Sequence, residues 1–303
     1  MPDLTMRGVY PILSTPFDKH GNIAFDDLDN QVEWIIDQGV HGVGIAMASE
    51  VFKLTESERD AVLKSVVDTA KGRVKVVMNT GVEGTDATIA YSRRAEELGA
   101  DALMIRPTSY IPTVTSEHIE FFVRIAESVG IPIFMQDQST APVPPSMAVA
   151  CARQHENLCY IKVETPPTIP RMAEAQSLVD DDANLILFGG MGGAFLLEEL
   201  RRGSVGTMPG STLPDKFVEV WDLWEAGDEA GALDAFDKYA SIIRSLAQGQ
   251  GLANWIYKHI MWRRGVFSKE GIYARGPSLR PDDGHLKEID ALLDRVGLLE
   301  VSG

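Results

Sequence analysis

Short apolar runs alternate with longer segments of helical period from the N-terminus to about residue 226. The runs fall at 9–14, 42–45, 74–78, 102–105, 131–135, 159–162, 185–188 and 204–208. The segments that follow them fall at 25–37, from 56 onward, and at 87–98, 116–128, 145–155, 168–178, 194–202 and 215–226. Each run is apolar at nearly every position, which suits parallel strands covered on both faces rather than a half-exposed sheet. Eight even strand–helix units in about 225 residues predict a (β/α)8 TIM barrel, since an open doubly wound sheet rarely uses so many. Past residue 228 the strand-like runs stop, and 230–246, 252–264 and 286–296 predict helices. The expected organisation is a catalytic barrel over residues 1–227 and an all-α helical extension over 228–303.

Composition narrows what such a barrel can do. A formal net charge of −16 over 303 residues repels nucleic-acid backbones and anionic membranes, so neither is an expected partner. No window approaches the roughly eighteen unbroken apolar residues of a membrane span, and the first residues lack a signal-peptide core, so the expected location is cytoplasmic. Cys151 and Cys159, a lone pair of cysteines in the chain, predict core thiols in a reducing compartment, without structural zinc. Gly189-Gly-Met-Gly-Gly193 has the wrong spacing for a dinucleotide fingerprint, and no cofactor is expected.

In such a barrel the chemistry gathers at the C-terminal ends of the strands. Those ends read Ser14-Thr15, Met47-Ala-Ser-Glu50, Asn79-Thr80, Arg106-Pro-Thr-Ser-Tyr110, Gln136-Asp137, Lys162-Val-Glu164, Gly189-Gly-Met-Gly-Gly193 and Met208-Pro-Gly-Ser211. Among these ends only Lys162 is an ionisable nucleophile embedded in an apolar strand. One reading is a lysine that snorkels or pairs with Glu164. The other is an amine that burial holds ready to condense with a ketone as a Schiff base. Strand alternation puts Tyr160, Lys162 and Glu164 on one face, so Glu164 would be in reach of whatever Lys162 binds.

Several motifs, in order and spacing, resemble the dihydrodipicolinate synthase/N-acetylneuraminate lyase family over nearly the whole chain. They are Arg7-Gly-Val-Tyr-Pro-Ile-Leu-Ser-Thr-Pro-Phe17, Ser49-Glu50 with Leu54-Thr-Glu-Ser-Glu-Arg59, Gly99-Ala-Asp-Ala102, Gly130-Ile-Pro132 and Ile161-Lys-Val-Glu-Thr165. The resemblance implies a Schiff-base-forming lyase acting on a small 2-keto acid, with Lys162 as the imine-forming lysine and a homotetramer or dimer as the assembly. The imine supplies the electron sink, so no metal is called for.

The departures sharpen the resemblance. Where the family carries a proton-relaying tyrosine and its following asparagine, this chain has Gln136-Asp137, and Met47 stands in place of the relay threonine. Thr108-Ser109 replace the aromatic pair after the fourth strand, and Ala141 stands where the synthase has its dicarboxylate-binding arginine. Dihydrodipicolinate synthesis is therefore not expected. Gln-Asp in the fifth strand, Lys-x-Glu-Thr-Pro in the sixth and Ser-Glu after the second are similar to the 2-keto-3-deoxy-L-arabonate dehydratase subgroup. That likeness implies elimination of water from a 2-keto-3-deoxy sugar acid to α-ketoglutaric semialdehyde.

On this reading Glu164 is the candidate acid/base. Ala48 and Ser49, with neighbouring N–H groups, would take the substrate carboxylate. Gln136 would be a neutral hydrogen-bond partner, and Asp137 a structural acceptor. Tyr110 would either restore a phenol to the site or lie at a subunit interface. Gly189 would give room for the distal end of the substrate, and Gly206 would line the pocket floor. Two alternatives share the fold: a class I aldolase releasing pyruvate, and a non-catalytic barrel that binds a keto acid.

Overall fold

The computed structural model describes residues 1–111, 113–180 and 182–301. Its strands are β1 (Gly8–Val9), β2 (Gly42–Ile45), β3 (Lys75–Asn79), β4 (Ala102–Ile105), β5 (Ile133–Asp137), β6 (Tyr160–Val163), β7 (Ile186–Gly189) and β8 (Gly206–Thr207). They alternate with α1 (Phe25–Asp37), α2 (Glu56–Ala70), α3 (Thr85–Glu97), α4 (Thr115–Ala126), α5 (Pro145–Ala152), α6 (Thr168–Leu178), α7 (Leu196–Leu200) and α8 (Pro214–Glu225). The sheet runs β1-β8-β7-β6-β5-β4-β3-β2, and the ladders from β3 through β8 are parallel. Helices α9 (Glu229–Ser245), α10 (Gln250–Arg263) and α11 (Asp283–Arg295) follow. The architecture is a (β/α)8 TIM barrel with a C-terminal all-α extension, as the alternation predicts.

The chain divides into two compact units. One holds 1–8, 75–191 and 195–208; the other holds 9–74, 192–194 and 209–303. The first contains the consecutive strands β3 to β7 with α3 to α7, and its core is the apolar set those strands bury, such as Val77, Leu103, Ile133, Phe134 and Ile161. The second contains β2, α1, α2, α8 and all three extension helices. There α9 packs along α8, so the extension continues from the helix that ends the barrel.

Local chemistry sets several boundaries. Thr55 and Glu58 form a reciprocal capping box that starts α2, and the Asp228 and Asp282 side chains accept N–H groups at the starts of α9 and α11. The expected strand at 9–14 is shorter: Pro11 has no N–H for a ladder, and Ile12 makes only isolated bridges to Gly44 and Gly210. The fifth strand differs in the other direction. It extends through Gln136 and Asp137, which pair in register with Lys162 and Val163, so the polar dipeptide is the end of the strand and not the loop after it.

Candidate active site

Register places the key groups side by side in the first unit. Gln136 of β5 lies opposite Lys162 of β6, and Lys162 lies opposite Phe188 of β7. The Lys162 Nζ is 2.9 Å from Glu164 Oε1, with side-chain exposures of 4% and 17%. The other Glu164 oxygen accepts a hydrogen bond from Gln136 Nε2 at 3.0 Å, and Gln136 Oε1 in turn accepts from Asn79 Nδ2 at 3.1 Å. A carboxylate can only accept, so Glu164 fixes which way the Gln136 amide points, and Gln136 does the same for Asn79. The carboxylate is thus held at both oxygens with one edge still open to solvent, beside a lysine whose one partner among the described residues is that carboxylate.

Beneath this pair the barrel is filled by aromatic rings. Phe134 and Tyr160 stack with centroids 4.5 Å apart, and Phe188 meets Phe134 edge-on at 5.1 Å. Tyr160 shares the strand face of Lys162, but its hydroxyl donates to the Asp3 carbonyl and accepts from the Met6 N–H, and burial pushes its ionisation upward. It supplies no proton relay. Asp137 is fully buried and accepts from Val143 N, Thr165 N and Oγ1, and the Arg171 guanidinium, tying the start of α6 to the end of β5. Cys151 and Cys159 are buried thiols pushed up to about 12 by desolvation, too weakly acidic to act as nucleophiles.

The glycines and Tyr110 lie as follows. A Cβ on Gly190 would sit 2.2 Å from Glu164 Cγ, so the bare backbone there is what lets the Glu164 carboxylate lie against the end of β7. The space beside Gly189 is taken by the Glu199 carboxyl, and that beside Gly206 by the Gly8 backbone and the Phe188 ring. Tyr110 is 85% exposed; its N–H donates to Glu83 Oε2 at 2.9 Å, and the structure does not bring its phenol to Lys162.

Two polar residues of this unit escaped sequence reasoning. Asn79 is a strand-end residue to which the sequence assigns no role. Glu199, on the buried face of α7, is fully enclosed, and its carboxyl is pushed up to about 8. Burial is the main cause, the charges of Glu164 and Glu198 add to it, and Lys162 and the Gly190 N–H oppose it. The available signal was helical spacing: Glu199 shares its face with Leu196 and Leu200, a stripe that points inward.

In the second unit Ala48 and Ser49 lie in a 3-10 turn, Met47–Ser49, just after β2. The Ser49 hydroxyl donates to the Leu13 carbonyl at 2.6 Å and accepts from Ala46 N–H at 3.1 Å. The turn closes through Ser49 N–H to Ala46 O and Glu50 N–H to Met47 O, and the Ala48 N–H precedes both. Glu50, in left-handed backbone, anchors the turn. Its carboxylate contacts Lys258 Nζ of α10, Lys53 Nζ at 2.7 Å and Arg275 N at 3.1 Å. The helical extension therefore holds the shape of the β2 turn, a role invisible in sequence because Glu50 and Lys258 are so far apart along the chain.

Comparison with known proteins adds to this geometry. The family model described as the dihydrodipicolinate synthetase family matches residues 5–295. The L-2-keto-3-deoxyarabonate dehydratase of Azospirillum brasilense is 30% identical over 283 residues, covering 91% of this chain and 90% of that protein. The 4-hydroxy-tetrahydrodipicolinate synthase of Methanocaldococcus jannaschii is 27% identical over 245 residues, 79% of this chain and 83% of that one. The crystal structure of dihydrodipicolinate synthase from Rhodopseudomonas palustris superposes with a TM-score of 0.89 at 26% identity, covering 96% of this chain and 98% of that one. No helix among the described residues is long and apolar enough to cross a membrane.

Proposed function

The chain belongs to the dihydrodipicolinate synthetase family and is a lyase, and from that premise we propose that it is a Schiff-base hydro-lyase dehydrating a 2-keto-3-deoxy sugar acid, 2-keto-3-deoxy-L-arabonate foremost. The observation that carries this reading is the double clamp on Glu164, by Lys162 at 2.9 Å and by Gln136 at 3.0 Å, at a strand end that carries no tyrosine. Proton traffic beside the imine then falls to a carboxylate.

In this reaction Glu164 takes a proton from the Lys162 ammonium, the free amine adds to the C2 carbonyl, and Glu164 returns the proton to the carbinolamine hydroxyl, which leaves as water to give an iminium. The iminium acidifies C3, Glu164 removes a C3 proton, and an enamine forms. The enamine electrons expel the C4 hydroxyl, which leaves as water with the proton Glu164 has gathered. Proton loss from C5 and from its hydroxyl, matched by proton gain at C3 and C4, converts the remaining hydroxyl carbon to an aldehyde, and hydrolysis releases α-ketoglutaric semialdehyde and free Lys162. Gln136, unable to exchange protons at neutral pH, keeps Glu164 oriented through both halves. In cells the expected setting is the cytoplasm and the expected assembly a homotetramer or dimer, as in the family.

A product assay with 2-keto-3-deoxy-L-arabonate tests the proposal. Appearance of α-ketoglutaric semialdehyde supports it; pyruvate with a two-carbon aldehyde would instead identify an aldolase and sink the dehydratase reading.

A further inference from the structure

The reaction just described uses one carboxyl, yet the strand end beside Lys162 is flanked by two. Glu199 reaches it from α7. Its side chain is fully enclosed, and neither carboxyl oxygen has a hydrogen-bond partner among the described residues; the Gly190 N–H, close enough to favour the anion, does not meet them in bonding geometry. A Cβ on Gly189 would lie 1.8 Å from Glu199 Oε2, and one on Gly190 2.2 Å from Glu164 Cγ. The two side chains therefore lie against consecutive glycines of one strand end. The charged groups that act on Glu199 are Glu164 and Lys162 from the end of β6 and Glu198 on its own helix.

A buried carboxylate with no donor is costly, and a second anion there would compete with Glu164 for the one cation, Lys162. We propose that Glu199 is a positioning residue for the Lys162–Glu164 pair: uncharged, it backs the Gly189–Gly190 strand end and leaves Glu164 the sole carboxylate partner of Lys162, and its ionisation sets the alkaline limit of imine and enamine chemistry. The proposal rests on the Schiff-base reading of Lys162. Ionised, Glu199 would need the Gly190 N–H or solvent as a donor, and either demand moves the backbone on which the Glu164 side chain lies. The position of the carboxyl, up to about 8, puts that change just above neutral pH.

Pyruvate is the probe, because exchange of its methyl protons with deuterium reads the imine and the base together, whatever the natural substrate is. In wild type the exchange rate should fall above about pH 8 by up to tenfold per unit. In Glu199→Gln the fall should disappear or move at least about one unit higher, with the neutral-pH rate within about threefold of wild type. An unchanged alkaline limb in the folded variant overturns the proposal. Should the variant not fold, infrared spectra of wild type decide: a protonated-carboxyl band present at neutral pH and lost in alkali supports it, and absence of that band overturns it. Borohydride treatment with pyruvate separates the two readings. An unmodified Lys162 in wild type overturns the Schiff-base reading and this one with it, whereas trapping with an unchanged limb overturns Glu199 alone.

Discussion

Lys162–Glu164 in the first unit and Lys258–Glu50 in the second are both lysine–carboxylate contacts inside the protein, yet their surroundings differ sharply. Lys258 and Glu50 are completely enclosed. Lys258 also donates to the Tyr273 carbonyl and lies 4.5 Å from the centre of the Phe17 ring, and Glu50 holds two further donors. Burial draws Lys258 down to about 8 against the pull of Glu50, so it is the lysine an eye for perturbed groups would pick. It has nothing left to react with. Lys162 has Glu164 as its one ion-pair partner among the described residues, and Glu164 keeps an exposed edge. A candidate reactive lysine is thus marked by donors left unspent beside a partly exposed carboxylate, whereas a fully satisfied buried pair is a structural pin.

Substitutions can break this comparison, and the largest effect belongs to the amine itself. Lys162→Met should cut turnover at least about a thousandfold and abolish borohydride trapping, with little change in melting temperature. Glu164→Gln comes next: single-turnover kinetics should show imine formation retained and dehydration slowed by about 10²–10⁴. Lys258→Met should do the opposite of Lys162→Met. It leaves Glu50 with only Lys53 and the Arg275 N–H, at a cost below the about 3–5 kcal/mol of a wholly unpaired buried charge, read as a lower denaturant midpoint, while Lys162 still traps pyruvate.

Acid titration gives a smaller effect. The Arg275 guanidinium, bonded to both Glu58 oxygens at 2.8 Å, lowers that carboxyl from 4.5 to about 2. Its contribution is complete above pH 4.5 and is lost as pH falls toward 2. With 28% of the Glu58 side chain exposed, screening reduces the effect to about 1 kcal/mol. Arg275→Met should erase that part of the acid dependence in urea unfolding followed across pH.

The barrel was legible because its strands are buried on both faces and so read as unbroken apolar runs between helices of regular period. Lys162 and Glu164 were legible for a related reason, as charges that interrupt such a run at spacing two. Gln136-Asp137 read as a loop because most of the groups that satisfy their polarity, Asn79, Glu164, Thr165 and Arg171, are distant in sequence. Lys258 sits among Ile256, Tyr257, His259 and Ile260 on a helix buried on most sides, where periodicity does not say which face a lysine takes. Glu199 could have been found from its stripe with Leu196 and Leu200; that Gly189 and Gly190 make room for two carboxyls could not, since a glycine in sequence does not say what fills its space.

The central claim is that Lys162, and not the fully enclosed Lys258, is the amine that bonds to substrate. Reduction of the wild-type protein with borohydride in the presence of pyruvate, followed by peptide mass spectrometry, tests it most directly. The account predicts a reduced pyruvyl adduct on Lys162 and an unmodified Lys258; an unmodified Lys162 would contradict it.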